Sequence, residues 1–400
     1  MDEYHIVFFV RHFFPRPRGA AYAALNLARF LRRRGDRVTF FTANADGLRR
    51  NTHSIDEFAV MAFPLPESGK LTKLISFLGI ILEIRRCRGR YDIFHVHGGD
   101  YTNLLLARLV GAASGLPTVV KLTLQGWDDP GTVCSDRRAR WAETMFRKIS
   151  AVVVLTQGQL APCRRYRPGA VVEVIPNGVD CRRFRPVSGV EKRRLRIEMG
   201  IDPDRPVLLY VGHLSYVKGT DRLLRIFGMV RERIPSACLV CAGDFMRREV
   251  SPSVLTQFMK LGEAENSVDI LSQIKLYPRD DCIERYFQLA DVFVFPSRRE
   301  GFGTVQIEAM AVGLPCVVAD LPGISEDIFP DSGVGVRVPG EDVQRFSDEV
   351  CRLLGSPELR RSMGRRARAR AVEVFSYDSV AYRYHQLYRR LLEERRPWRG

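Results

Sequence analysis

Ala290-Asp291-Val292-Phe293-Val294-Phe295-Pro296-Ser297-Arg298-Arg299-Glu300-Gly301-Phe302-Gly303-Thr304-Val305-Gln306-Ile307-Glu308-Ala309-Met310-Ala311-Val312-Gly313-Leu314-Pro315 is the stretch on which the fold turns. Val292–Phe295 is an apolar run too short for a helix, and it predicts a buried strand. A Gly-rich loop follows, then a helix over Thr304–Val312, then a second apolar strand over Pro315–Ala319. Strand, helix and strand in that order make a parallel crossover unit.

The same alternation extends outward in both directions. Upstream, Val207–Val211 and Ala237–Ala242 predict strands and Thr220–Arg233 a helix; downstream, Glu341–Leu354 predicts another helix. Between Arg182 and Pro206 the pattern lapses into a charged, Pro-containing stretch that reads as a linker. Before it, strands are expected at Ile6–Val10, Val38–Phe41, Ile93–Val96, Thr118–Leu122 and Ala151–Leu155, with a helix over Ala20–Arg34 closed by Gly35. Apolar strands separated by amphipathic helices imply parallel sheets covered on both faces. The expected class is α/β: two doubly wound, Rossmann-like domains (1–185 and 207–375) joined by a linker (186–206), with carboxyl strand ends facing a central cleft. The basic, aromatic tail (376–400) is expected as a helix crossing back to the first domain.

The net charge of +16 points to anionic partners: nucleotide phosphates, an acidic membrane surface or nucleic acid. Only eight of the 62 basic residues are Lys, so a genome rich in Arg codons accounts for much of the excess equally well. The Arg residues are spread along the chain, and no known nucleic-acid module is present, so nucleic acid is not an expected partner. The nine Cys lack a disulfide rhythm. Cys238 and Cys241 lie in Ala-Cys-Leu-Val-Cys-Ala, a buried strand rather than half a zinc site, since no second pair exists. Reduced thiols and an acidic N-terminus that runs directly into a strand fit a cytoplasmic protein. No apolar run reaches the ~18 residues of a membrane span.

Four segments carry candidate chemistry. Arg16-Pro17-Arg18-Gly19-Ala20-Ala21 places small residues at a helix N-terminus, where backbone amides can approach an anion; an ordinary tight turn explains it too. Val211-Gly212-His213-Leu214-Ser215-Tyr216-Val217-Lys218-Gly219 carries a Lys on a Gly-flanked loop, suited to a diphosphate or simply solvated. In the loop after Phe295, amides and a positive helix end form an anion site. Glu308, on the helix face of Thr304, offers two acceptors to a vicinal diol, and Glu300 can bond a sugar hydroxyl; surface charges are the plainer alternative. Lys121-Leu122-Thr123-Leu124-Gln125-Gly126-Trp127-Asp128-Asp129-Pro130 ends a first-domain strand, its two Asp residues serving a cleft or a turn.

In this order, and with Ile175-Pro176-Asn177-Gly178-Val179-Asp180 before the linker, these pieces resemble the retaining, nucleotide-sugar-dependent glycosyltransferases of family four, which share the GT-B fold. The resemblance covers nearly the whole chain. It implies a donor site in the second domain: Glu308 on the ribose, Glu300 on the transferred sugar, and Lys218 with the amides from Phe302 to Thr304 on the diphosphate. Gly212, His213, Asp244 and Gly301 join this donor set, and Gly19 and Ala20 cap the diphosphate from the first domain. Gln125, with Lys218 and Glu300, is expected in catalysis, and Gln125, Trp127 and Asp128 on the acceptor side. The leaving phosphate would help to deprotonate the acceptor hydroxyl, so no protein nucleophile is needed and the two Glu are not a glycosidase pair. No cofactor or metal is implied; the nucleotide sugar is a substrate, with UDP-sugar favoured over GDP- or ADP-sugar, and the acceptor a carbohydrate or lipid-linked molecule.

Three positions depart from the family pattern. His213 stands where Arg is usual, so its charge depends on pH; Gln125 replaces a common His; and Gly19-Ala20 replaces Gly-Gly. A sugar epimerase, a phosphorylase or an inactive donor-binding protein on the same fold are the rival readings. Leu71, Leu74, Ile75 and Leu78 make one face of a helix that Phe77, Ile80, Ile81 and Ile84 widen, with Lys70, Lys73, Arg85, Arg86, Arg88 and Arg90 at its flanks. That pattern fits either a helix lying on the anionic inner face of the cytoplasmic membrane or one buried in the first domain.

Overall fold

The computed structural model describes residues 3–14, 19–44, 51–64, 70–87, 89–123, 128, 139–166, 171–243, 273–278 and 282–395. The chain divides into two compact units, Met1–Gly178 with Tyr377–Gly400, and Val179–Ser376.

The first unit is built on eight strands: β1 (His5–Val10), β2 (Arg37–Asn44), β3 (Asn51–Ile55), β4 (Phe58–Pro64), β5 (Ile93–His97), β6 (Thr118–Lys121), β7 (Ala151–Val154) and β8 (Val171–Val174). Their order in the sheet is β3-β4-β2-β1-β5-β6-β7-β8. All neighbours are parallel except the β3–β4 hairpin at one edge. Every residue of β1 is buried, as a strand covered on both faces requires. One face packs beneath the helices Gly19–Arg33 and Tyr377–Arg395, with Phe8, Phe40, Leu27, Tyr384 and Tyr388 in the same apolar cluster. The other face buries Phe9, Phe41, Phe94 and Val120 with Phe77, Ile80, Leu104 and Phe146.

The last helix is therefore part of the first unit, and polar contacts set its register. Tyr388 Oη and His95 Nδ1 are hydrogen-bonded at 2.7 Å, and His385 Nδ1 meets Asp36 Oδ2 at 3.0 Å. The Phe30 and Tyr377 rings stack with centroids 5.2 Å apart.

The second unit carries six parallel strands: β9 (Val207–Val211), β10 (Cys238–Gly243), β11 (Ile274–Pro278), β12 (Val292–Phe295), β13 (Cys316–Ala319) and β14 (Val336–Val338). Their order is β11-β10-β9-β12-β13-β14. From β9 the chain winds one way to β10 and β11, then returns to place β12 on the other side of β9. The gap between the carboxyl ends of β9 and β12 is the switch point, where ligands bind in sheets of this type. Cys238 and Cys241 lie inside β10 as buried free thiols.

The stretch expected as a linker differs. Ser188 Oγ accepts the Glu191 amide and starts a helix, Gly189–Glu198, that belongs to the second unit. Two of its charges turn inward: Lys192 and Arg196 reach Asp291 Oδ1 and Oδ2, each at 2.7 Å. Asp291 Oδ2 also accepts the Val207 amide at 2.8 Å, so this acid joins the starts of β9 and β12.

Candidate functional site

Two loops leave the switch strands of the second unit side by side. The first, Gly212–Gly219, follows β9; the second, Pro296–Gly303, follows β12. Gly219 has φ +70°, and a Cβ there would stand 2.0 Å from Pro296 O, so only glycine allows this approach. Ser297 Oγ lies 3.3 Å from Val217 O, and the Arg298 amide donates to the same carbonyl at 2.9 Å. The Arg298 guanidinium grips Asp221 with two bonds (2.5 and 2.6 Å), donates to Tyr216 O at 2.7 Å and sits 3.7 Å from the centre of the Tyr216 ring. Burial alone would raise the Asp221 carboxyl; the Arg298 hydrogen bonds and charge outweigh it and hold the group below its ordinary value. Arg222, itself buried, donates to Pro296 O and pairs with Glu341.

This lacing brings Lys218 onto Glu300. The ammonium donates to both carboxylate oxygens, at 2.7 and 2.8 Å, across 82 residues of sequence. The Glu300 side chain is only 7% exposed and that of Lys218 27%. Behind each loop a helix begins, Thr220–Arg233 after Gly219 and Thr304–Val312 after Gly303; each N-cap is a glycine with no side chain to cap it, and in the first the Asp221 carboxylate takes backbone hydrogen bonds of Asp221 and Arg222. Each N-terminus therefore presents backbone amides and the positive end of its dipole on the side of the sheet where the loops lie. Gly303 adopts φ +81°, which turns the loop into its helix. Thr304 and Glu308 lie four residues apart on that helix, and both are partly exposed. Gly301 and Phe302 are buried, the Phe302 ring meeting Phe375 edge-on at 6.0 Å. His213 is exposed; its carbonyl accepts from Tyr210 Oη at 2.8 Å, and the Gly212 amide donates to Ala242 O.

Gly19 and Ala20 open the first helix of the other unit. Asp128, expected on the acceptor side, is buried. Its Oδ2 accepts from the amides of Gly99 and Thr123 and from Thr123 Oγ1, at 2.7–3.2 Å. That carboxylate closes its own loop, and the turn-forming alternative describes it. Gln125, Trp127 and Asp244 lie outside the described residues. Among the described residues, no group of three or more His, Cys, Asp or Glu is placed to hold a metal ion.

One cluster had no sequence prediction. His95 and His97, on β5, stack with centroids 4.4 Å apart, and Lys121, at the end of β6, pairs with His97 in register. Lys121 Nζ donates to Asn177 Oδ1 at 2.8 Å and stands 5.9 Å from the Tyr384 ring. Burial pushes the Lys121 ammonium down to about 7. It also lowers both imidazoles well below their usual value, helped at His97 by His95 and at both by Lys121. The only sequence signal was a Lys ending an apolar strand in a chain poor in Lys.

Comparison with known proteins shows the family and the fold. The family model described as "Glycosyl transferases group 1" matches residues 191–370, and that described as "Glycosyl transferase 4-like domain" matches residues 18–178. Together the two span most of the chain. The chain belongs to the family-four type of GT-B glycosyltransferases. A D-inositol 3-phosphate glycosyltransferase from Segniliparus rotundus is 29% identical over 314 residues, covering 74% of this chain and 67% of that protein. The fold of this glycosyltransferase is also that of sucrose-phosphate synthase from Thermosynechococcus elongatus (TM-score 0.76, 20% identity, 98% of this chain and 100% of the other). Anabaena HepE, solved with UDP and glucose, has the same fold (TM-score 0.74, 16% identity, 97% and 100%). The enzyme transfers a glycosyl group from a nucleotide-sugar donor to an acceptor.

Proposed function

We propose that the transfer uses a UDP-sugar, retains the anomeric configuration, needs no metal ion, and delivers to a carbohydrate or lipid-linked hydroxyl at the inner face of the cytoplasmic membrane. The observation that carries this reading is Lys218, held on Glu300 in paired loops that each lead through a glycine N-cap into a helix. Negative charge grows on the leaving diphosphate as the glycosidic bond breaks. An ammonium and fixed amides stabilise that charge most in the transition state, the task a metal ion performs in other transferases. Glu308 would take the ribose diol and Glu300 a hydroxyl of the transferred sugar. The departing phosphate, on the face from which the sugar leaves, would accept the proton of the incoming hydroxyl, so substitution occurs on that same face. A cytoplasmic setting is supported by the free thiols, and the choice of UDP by HepE, whose structure holds it.

Incubation with UDP-, GDP- and ADP-sugars, with and without EDTA, tests this directly. Nucleoside diphosphate release from a UDP-sugar that EDTA leaves intact is expected, with proton NMR of the product showing the donor's anomeric configuration. Inversion, or abolition by EDTA with recovery on adding a divalent cation, would overturn the mechanism.

A further inference from the structure

Helix Lys70–Arg86 is apolar on two sides. Phe77, Ile80 and Ile84 are at most 3% exposed and pack against the sheet cluster of the first unit. Ser76 is turned inward too and donates to Pro64 O. The opposite side is not covered: Ile75, Leu78 and Leu82 are 55%, 49% and 64% exposed. Spaced three and four residues apart, they form one stripe about 10 Å long at 1.5 Å per residue. The stripe runs on into Arg85 and Arg86, both exposed, with exposed Arg90 just beyond the helix. The helix has one acidic residue, Glu83, which is buried and accepts from Cys87 Sγ. Between residues 75 and 86, every exposed side chain is thus aliphatic or a guanidinium.

A helix on the surface of a globular unit ordinarily turns polar residues of both signs to water. A second copy of this chain would bring the same arginines against themselves. Hydrocarbon at the centre of the stripe, cations at its end and no carboxylate match the chemistry of a bilayer surface: acyl chains for Ile75, Leu78 and Leu82, lipid phosphates for Arg85 and Arg86. No described helix is long and apolar enough to cross a membrane, so the contact lies in the plane of the surface.

We propose that this exposed face seats the first unit on an anionic lipid surface. The inference deepens the reading of an acceptor met at a membrane, and rests on that reading only for its purpose. The full chain is mixed at low salt with vesicles of phosphatidylcholine, alone or with roughly one-third phosphatidylglycerol, and sedimented. Binding to the anionic vesicles and not to the neutral ones is expected. Leu78→Glu with Leu82→Glu should weaken that binding at least tenfold, and Arg85→Gln with Arg86→Gln should abolish the preference for phosphatidylglycerol. Hydrolysis of the nucleotide sugar in vesicle-free buffer should remain at wild-type rate in all variants, confirming that they fold. Equal sedimentation of wild type and the Glu variant would overturn the proposal. So would a wild-type dimer in velocity sedimentation that the Glu variant dissociates, because the stripe would then belong to a second copy. Vesicle binding without any transfer activity would sink the enzymatic reading and leave this one standing.

Discussion

Replacing Lys218 by Met should do more than slow the reaction, because its ammonium is also the partner of a buried carboxylate. Glu300 keeps only 7% of its side chain in water and receives both of its bonds of 2.7 and 2.8 Å from Lys218. Removing one partner of a buried pair costs about 3–5 kcal/mol. Lys218 is 27% exposed, so water can partly replace it, and about 2 kcal/mol is the better expectation for Lys218→Met. Glu300→Gln should cost about half as much, since the ammonium can turn to solvent, and the double variant should cost less than the two together by about 1 kcal/mol. Calorimetric unfolding reads this cycle as a fall of about 4–8 °C for Lys218→Met. On the proposed donor placement, the pair also links the two halves of the donor. A nucleoside diphosphate must draw Lys218 away from Glu300, so Glu300→Gln should bind free UDP about tenfold more tightly while turning the UDP-sugar over more slowly. A Glu300 that only held the sugar would leave UDP affinity unchanged. Unchanged UDP affinity in Glu300→Gln, together with wild-type stability in Lys218→Met, would refute the coupling.

Glu308→Ala should weaken UDP and UDP-sugar by the same factor, about ten- to two-hundredfold; calorimetry showing loss for the sugar nucleotide alone would remove Glu308 from the ribose. Gly219→Ala should depress kcat about a hundredfold, because its Cβ would meet Pro296 O at 2.0 Å and part the two loops; a wild-type kcat would show that their lacing is not what positions Lys218. For Lys121, the unfolded chain keeps its proton up to 10.5 whereas the folded chain releases it near 7, so the unfolded state binds more protons between those values and stability rises with pH. Urea unfolding followed at each pH reads this dependence. Between pH 7.5 and 9 wild type should gain about 2 kcal/mol relative to Lys121→Met, and parallel pH profiles would show that Lys121 is not held in its neutral form.

The parallel sheets could be read from the chain because their strands are buried on both faces, which leaves short, wholly apolar runs such as Val207–Val211 and Val292–Phe295. The two donor loops were legible for a related reason: glycines at positive φ mark where a loop must turn into a helix. What stayed hidden depends on partners distant in sequence. Lys192 and Arg196 look solvated until Asp291, almost a hundred residues on, is brought beneath them, so in sequence their helix reads as a linker. Asp128 looks poised for an acceptor until the Gly99 and Thr123 amides are seen to use it. His95 and His97 occupy strand positions that an alternating pattern would assign to apolar residues, and only the returning helix, through Tyr388, gives one of them a partner. The helix from Lys70 to Arg86 shows the limit most plainly. Periodicity can measure how wide its apolar arc is, but which part of that arc the sheet covers is decided by tertiary packing. With Phe77, Ile80 and Ile84 turned inward, the remainder, Ile75, Leu78 and Leu82, exceeds what folding of the unit consumes. Exposed aliphatic surface carries a free-energy cost that nothing among the described residues of the first unit relieves. Its retention beside arginines is what an external, anionic and apolar partner accounts for.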